Sequence, residues 1–519
     1  MRTGWQRRRS RKKKKMWDQR SKEQLDKRVG DQPVHMEIER NVEFIGKVLG
    51  DSSDLITRWF TIQYIPDRRA VLMCVDGLVD KRNLDQFVLA PLMTRGEQLQ
   101  TKTDLWMMVN ESLVAAEEKK KSSQLKETVD SLLSGDAILF VDGYSEGLII
   151  GAKGWEKRGV EDPRAEAVVR GPREGLTETL RVNTGMIRRR LKDPDLRLKD
   201  FKVGERTKTN LTMMFIQGIV DDTLVKEIEK RIQEIRIDSV LESGYIEEMI
   251  GDATLSPFPV LQNTERPDAV VAHLLEGKVG ILVDGTPHVL IAPAVFTQFY
   301  SSPEDYYERY MIATFLRLLR LVAFFIALLL PALYIAFISF HPEMIPSKLA
   351  IALAAGRSTV PFPSIVEALM MEMSVEILRE ASIRLPGPIG PTIGIVGALV
   401  IGEAAVTAGV VSPLMVIVVG LTTISSYANP NYSAAISIRL LRFPMMIVAS
   451  ILGLYGLVIA LLLLLLHMIK LRSFGVPYMA PFAPLRIKDV KDTLIRIPWP
   501  FMNKRPSIFR PVDDQREDG

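Results

Sequence analysis

The sequence predicts an α/β soluble N-terminal region of two subdomains, followed by an α-helical polytopic membrane domain of about four spans plus an amphipathic or re-entrant hairpin. Three observations carry this. The 519 residues hold 67 Lys and Arg against 62 Asp and Glu, yet mean hydropathy is +0.10, so a polar part must be joined to a very apolar one. Three apolar runs in the polar part each end in Asp-Gly, the pattern of a strand running into a tight turn. Beyond about residue 320, charges nearly vanish over stretches long enough to cross a hydrocarbon core of about 30 Å. The length exceeds one compact domain and suggests about three units.

The chain opens on Arg7, Arg8, Arg9, Arg11 and Lys12 to Lys15, with few aromatic or β-branched residues before residue 40. Such a stretch cannot bury enough surface to order itself, so residues 1–40 read as a basic disordered tail with folding starting near Phe44. The basic run is first a solvated tail, next a weak hold on anionic lipid, and last a nucleic-acid binder, since no reading domain follows. No apolar h-region follows it, so it is not a secretory signal and the first 300 residues are expected in the cytosol. The single cysteine, Cys74, excludes an internal disulfide and a thiolate zinc site.

The Asp-Gly runs are Val71 to Gly77, Ala137 to Gly143 and Gly280 to Gly285. A further apolar run follows the second and third, at Gly147 to Ile150 and His288 to Pro293, so each reads as a hairpin. Thr223 to Ile237 places Leu224, Val225, Ile228 and Ile232 on one face of a helix. Two subdomains, 41–203 and 204–305, divided in the polar stretch at Lys202 to Thr209, account for this pattern. The membrane domain is expected at 306–470 and a cytosolic C-terminal tail at 471–519.

Leu321 to Phe340 is uncharged, Leu385 to Ile438 carries one charge, Glu403, and has room for two spans folded about Ser412-Pro413, and Met445 to Leu466 completes four. An even number puts both termini on one side, with Arg317, Arg320, Lys470 and Arg472 flanking as a cytosolic assignment requires. Arg439 and Arg442 then fall outside, against that rule. Making Ser364 to Ala381 a fifth span would bring them in, but it would translocate the basic segment after Lys470.

Gly390, Gly394, Ala398 and Gly402 recur every four residues and lay a stripe of small side chains along one helix face, where another helix can approach closely. The plain alternative is a glycine-rich span without a specific partner. Glu403 must face the protein interior or water, either as a structural hydrogen bond or on an ion path. Between the first two spans, Val360 to Pro363 form a kinked approach to a helix carrying Glu372, Glu376 and Glu380 at i+4 spacing, with Ile365, Leu369, Met373 and Ile377 on another stripe. That helix either lies in the interface or re-enters where it lines water, and repetition of its glutamates in a ring would favour cations. Val360 would then be an apolar gate.

Nothing points to an enzyme. The five histidines neither pair at i, i+4 nor neighbour a carboxylate suited to a triad, and there is no phosphate loop of the GxxxxGK[ST] form. No cofactor or metal is expected.

The stretch AVVRGPREGLTETLRVNTGMIRRRLKDP, Ala167 to Pro194, resembles the signature of the GerA family of spore germination proteins, with Arg170, Gly171, Pro172, Arg173, Glu174 and Gly175 its most specific piece. Leu385 to Pro413, Pro430 to Pro444 and Leu471 to Pro484 are similar to that family's membrane and post-membrane segments, and the likeness runs from about Phe44 to Pro506. Leu176 departs from the aromatic residue more usual there. The resemblance implies an A subunit of a spore germinant receptor in the inner spore membrane, partnered by a transporter-like B subunit and a lipoprotein C subunit. It also implies oligomerisation into a ring that releases monovalent cations. A non-conducting scaffold of the receptor complex, and the A-like paralogue of the sporulation stage V operon, remain alternatives. The dense mixed charge of the signature reads as a solvated helix face or as a turn presenting Arg173 and Glu174 to a partner; a structural or assembly role is favoured over ligand binding.

Overall fold

The computed structural model describes residues 30–62, 68–94, 105–110, 114, 118–154, 162–163, 166–385 and 389–516. Two five-stranded antiparallel sheets form the N-terminal half. The first is built from β1 (Leu55–Ile62), β2 (Arg68–Val75), β3 (Lys119–Ser122), β4 (Ala137–Val141) and β5 (Gly147–Ile150), in the order β1-β2-β4-β5-β3. The second uses β6 (Leu196–Val203), β7 (Thr209–Ile216), β8 (Gln262–Thr264), β9 (Val279–Val283) and β10 (Val289–Ala292), in the order β6-β7-β9-β10-β8.

The two orders are the same order, so the soluble half repeats one design. In each copy the first two strands pair over eight residues. In each, the third strand is followed by a helix and then by a hairpin whose leading strand runs into Val-Asp-Gly. That helix is α2 (Leu125–Leu133) in the first copy and α6 (Pro267–Leu274) in the second. β4 and β9 are buried along their whole length, because helices and loops cover both faces of each sheet. That coverage explains their unbroken apolar runs.

All three Asp-Gly runs are strands entering turns, and the two expected hairpins are β4-β5 and β9-β10. The predicted helix at Thr223 to Ile237 is α4 (Asp222–Glu234), whose first turn is capped by Asp221 through Thr223 N at 2.9 Å, and α5 (Ser243–Ile250) follows it.

Two boundaries fall elsewhere than expected, and the C-terminal segment is docked. α1 (Ile38–Leu49) begins before Phe44, and Val34 and Ile38 are buried against the first sheet, so ordered chain reaches back to residue 30; residues 1–29 of the expected tail lie outside the described residues. The division at 203/204 falls inside the β6-β7 hairpin, because its polar turn mimics a linker. The second unit starts near Leu176, where α3 (Leu180–Arg190) joins the same core as Leu196, Met214 and Val270. The segment after residue 470, expected as a cytosolic tail, packs back on the second unit, burying Tyr478, Ala480, Ile508 and Phe509, and bonds to Thr314 and Arg317 of the long apolar helix that follows that unit.

The C-terminal half is helical: α7 (Tyr310–Phe340), α8 (Ser347–Arg357), α9 (Ser364–Arg384), α10 (Ile389–Thr407), α11 (Pro413–Tyr427) and α12 (Tyr432–Lys470). Among the described residues, α7 and α12 are long and apolar enough to cross a membrane. They pack along each other and leave Phe325, Ile451, Tyr455 and Leu463 exposed, a surface suited to lipid and not to water. α11 is apolar but only 15 residues. α12 is broken at Gly453, whose φ of 61° suits glycine, and a Cβ there would lie 2.9 Å from Phe340 and His341 at the end of α7. Its two limbs double back on each other: Ser437 Oγ donates to the Pro257 carbonyl and His467 Nε2 lies 2.9 Å from Ser256 Oγ, so both ends of α12 reach neighbouring residues of the second sheet unit.

Candidate functional site

A row of buried ion pairs joins α9 to α12. The i+4 spacing of Glu372 and Glu376 puts them on one face of α9, and the i+3 spacing of Arg439 and Arg442 does the same on α12. Glu372 and Arg442 meet with 0% and 2% of their side chains exposed, and Glu376 Oε2 lies 3.0 Å from Arg439 Nη1. Arg442 Nε also donates to the Ala327 carbonyl of α7 at 2.8 Å. Nearby, fully buried Glu367 accepts from Ser412 N at 2.9 Å and pairs with Arg357 at 2.8 Å. Arg379 donates to Ser426 Oγ at 3.0 Å with its guanidinium 4.4 Å above the Tyr427 ring.

On the outward side of α9 Met373 and Ile377 are exposed, and at its C-terminal end so are Glu380 and Arg384, which pair with each other. The middle of the helix thus turns charge inward and hydrocarbon outward, while its last turns expose charge. Pairing in a low-dielectric interior holds each charge only because its partner is present. Glu372 Oε1, Arg442 Nη2, Arg439 Nε and Arg379 Nε are buried and lack a hydrogen-bond partner among the described residues. The seam therefore keeps unused polar capacity at its centre.

The predicted site residues divide over three places. Glu372 and Glu376 lie in the seam, each neutralised by an arginine that sequence reasoning had placed outside. Val360 lies between α8 and α9, its N–H donating to the Arg357 carbonyl at 3.0 Å, close to the Arg357–Glu367 pair. Glu403 is not in the seam: it is exposed on α10. The small-residue stripe meets two neighbours. A Cβ on Gly394 would lie 2.8 Å from Ser382 Oγ of α9, and one on Gly402 would lie 3.4 Å from Val416 of α11. Ala398 is exposed, and the surroundings of Gly390 lie outside the described residues. Gly397, which the four-residue period skipped, faces Leu378 of α9 at 2.9 Å.

Sequence reasoning missed Glu367, Arg357, Arg439 and Arg442. The signal was present in the last pair: opposite charges one turn apart on two otherwise apolar helices.

The signature of residues 170–175 forms the neck between the second sheet and α7. Arg170 N donates to Glu304 at 3.2 Å, and its guanidinium lies 3.6 Å from Glu308. A Cβ on Gly171 would approach the Tyr307 ring at 2.9 Å, and the Pro172 carbonyl accepts from buried Arg266 at 2.9 Å. Glu174 takes 2.6 Å bonds from both Arg189 and Arg190, Gly175 is buried, and Arg173 is exposed. Beneath the loop, burial pushes the Glu166 carboxyl up to about 7, against the bonds from Thr264 and Glu265 and the charge of Arg266. Tyr307 and Arg266 both donate to Asp268. One step further, Asp305 binds Arg317 and Arg320 of α7, at 2.9 and 2.8 Å.

A repeated two-sheet head, a neck of interlocked charges and an apolar helical bundle with buried ion pairs are the architecture of a membrane-associated protein. Among the described residues no cluster of three or more His, Cys, Asp or Glu could hold a metal. The chain belongs to the GerA family: the family model described as Bacillus/Clostridium GerA spore germination protein matches residues 43–508. It is 45% identical over 478 residues to spore germination protein KA of Bacillus subtilis (strain 168), covering 92% of this chain and 88% of that one. It is 43% identical over 465 residues to spore germination protein GerLA of Bacillus cereus, covering 90% and 94%, and 40% identical over 490 residues to spore germination protein B1 of B. subtilis, covering 93% and 99%. A crystal structure of the N-terminal domain of the A subunit of the Bacillus megaterium spore germinant receptor GerK3 aligns with a TM-score of 0.41 at 36% identity, covering 51% of this chain and 98% of that one.

Proposed function

We propose that this chain is the A subunit of a nutrient germinant receptor, and that it forms a ring in the inner spore membrane which lets monovalent cations leave at the start of germination. Its partners are a transporter-like B subunit and a lipoprotein C subunit, and it catalyses no reaction. It leaves the cytosolic side by α7, returns through the helices before α12, and crosses out and back by the two limbs of α12, so that both termini are cytosolic. A reporter after Gly519 should be reached only from the cytosol; an external C-terminus would overturn this arrangement.

The observation that carries the reading is Glu403. It stands exposed on an apolar helix, and a carboxylate facing lipid costs several kcal/mol, about 2.5–3.5 at a helix centre by insertion measurements. Its face of α10 therefore belongs against water or a second copy, as in an acidic ring around an axis. Spores carrying Glu403→Gln should keep normal subunit abundance but release potassium several-fold more slowly on nutrient addition. Normal release at normal abundance would remove Glu403 from the path. Val360→Ala, by loosening an apolar constriction, should give release without nutrient.

A second reading, a non-conducting scaffold, is favoured by the arginine pairing of Glu372 and Glu376, which spends their charge inside the subunit. Under it, Glu372→Gln fails to accumulate, and the double change Glu372→Gln with Arg442→Gln restores both abundance and ordinary release. A conducting seam would restore abundance but alter release. Loss of the gene separates the receptor subunit from the stage V paralogue: one nutrient response disappears in the first case, and release slows for every nutrient in the second.

A further inference from the structure

The segment after the last span turns back across the neck. Arg496 N and O both meet Thr314 Oγ1 in the first turn of α7, Arg317 donates to the Asp492 carbonyl, and the Trp499 indole N–H donates to the Tyr306 carbonyl at 3.1 Å. These bonds spend the segment's polar groups inward. What it turns outward is apolar and basic: Leu485, Ile487, Ile495, Trp499 and Phe501 are exposed, the last 71% so, with Lys488 and Lys491 beside them. Its acidic side chains are engaged elsewhere. Asp489 accepts from Ser507 N and Oγ, and Asp492 accepts from Tyr306 and Arg317.

The patch continues the lipid-facing surface of α7. Tyr310, Met311 and Phe315 are exposed in its first two turns, and the same face carries on through Leu318 and Val322 into the span. Thirty-one residues make a helix of about 46 Å. That exceeds a hydrocarbon core of about 30 Å and matches core plus headgroups, about 40–45 Å. The first turns of α7, and the segment bonded to Thr314, therefore lie at headgroup depth on the side of the soluble domain. There an apolar, tryptophan-bearing surface edged with Arg309, Lys488 and Lys491 fits anionic lipid: the rings enter the acyl boundary and the cations meet phosphate.

We infer that residues 485–501, docked on the first turns of α7, are an interfacial lipid-binding surface that seats the neck on the anionic leaflet next to the soluble domain. The reading rests on α7 crossing the membrane and is independent of any conduction.

Emission from the full-length chain in vesicles tests it, with lipids brominated close to the glycerol backbone as quenchers. The chain has six tryptophans, so the quantity to follow is the quenched fraction that disappears in Trp499→Phe. That fraction should be present in neutral phosphatidylcholine vesicles and should rise about twofold when phosphatidylglycerol is added. The rise should vanish in Lys488→Glu with Lys491→Glu, whose soluble domain should still resist protease. If Trp499 emission is quenched by aqueous iodide and not by brominated lipid, the surface faces water and the inference fails. It fails equally if Ile495→Cys forms a disulfide between two copies in high yield, since the patch would then be a subunit contact. Loss of α7 insertion would sink the spanning reading, whereas an inserted chain with unquenched Trp499 sinks only this one.

Discussion

At the scale of single residues, the strongest constraints are buried charges with one partner. Arg188 of α3 grips Asp54, which precedes β1, through Nε at 2.9 Å and Nη2 at 3.0 Å, and both side chains are 2% exposed. This pair joins the two sheet units, assisted by Ser52 Oγ at 3.3 Å. Beside it, the first Asp-Gly turn meets the same helix: a Cβ on Gly185 would lie 2.5 Å from the Gly77 carbonyl. The conspicuous arginines of the family signature thus cement the head together. Removing one member of a buried pair strands the other, at about 3–5 kcal/mol. Arg188→Ala should lower the thermal midpoint of the detergent-solubilised chain markedly, whereas Arg188→Met with Asp54→Leu should recover most of the loss. Equal midpoints for the single and double variants would show that the charges do not act as a pair.

At the scale of elements, α10 and the C-terminal segment make separate predictions. Gly394 and Gly397 leave no room beyond hydrogen against Ser382 and Leu378 of α9, so Gly394→Leu should push the helices apart and reduce complex abundance several-fold by immunoblot. Gly390→Leu serves as the comparison at the other end of the stripe, and full abundance of Gly394→Leu would show that the face is not a packing interface.

The C-terminal segment is held by a buried cluster under α6. Lys278 Nζ lies 2.9 Å from His273 Nδ1, 3.6 Å from Glu276 and 4.3 Å from the Phe509 ring, and Arg516 donates to Glu276 at 2.8 Å. Burial opposes charge on Glu276, but His273, Lys278 and Arg516 outweigh it and hold the carboxyl well below the usual range. A depressed acid contributes stability that is full above its unfolded pKa of about 4.5 and is lost as pH falls toward the folded value. Burial moves Lys278 the other way, down to about 8, so its charge weighs against folding below that pH and the penalty fades as pH rises toward about 10.5. Limited proteolysis should therefore show the residues after 504 becoming cleavable below about pH 4.5 before the sheets do. Glu276→Gln should be cleavable there already at neutral pH, and a cleavage rate that ignores pH in the native chain would refute the latch.

At the scale of the whole molecule, the neck is where head, membrane helices and C-terminal segment converge. Glu174 is committed to Arg189 and Arg190, while Arg173 in the same turn is exposed. Glu174→Ala should therefore destabilise the chain, by about 1–3 kcal/mol for lost charged hydrogen bonds. Arg173→Ala should leave its stability unchanged but reduce co-purification of the other receptor subunits. If Arg173→Ala instead assembles normally and raises the nutrient concentration needed, the turn acts in sensing and not in assembly.

The sequence alone determined what depends on local pattern. Strands entering Asp-Gly turns, the amphipathic α4, the apolar helices and the family signature are all encoded within one or two turns of chain, because periodicity and turn chemistry act over that range. The repeat of the two sheets was only half visible: the shared Val-Asp-Gly marks the same hairpin in each copy, but strand order is a matter of pairing across the chain. Tertiary structure decided the rest. It moved the second unit upstream of residue 204, because a polar hairpin turn and a linker have the same composition. It docked the segment after Lys470, whose apolar residues are too sparse to signal burial until the neck supplies their partners. Above all it brought Glu372 to Arg442 and Glu376 to Arg439, 70 and 63 residues away. The sequence states that each charge stands on an apolar helix; that a charge at such a place must find its opposite is electrostatics, but only the packing of α9 on α12 determines which opposite it finds.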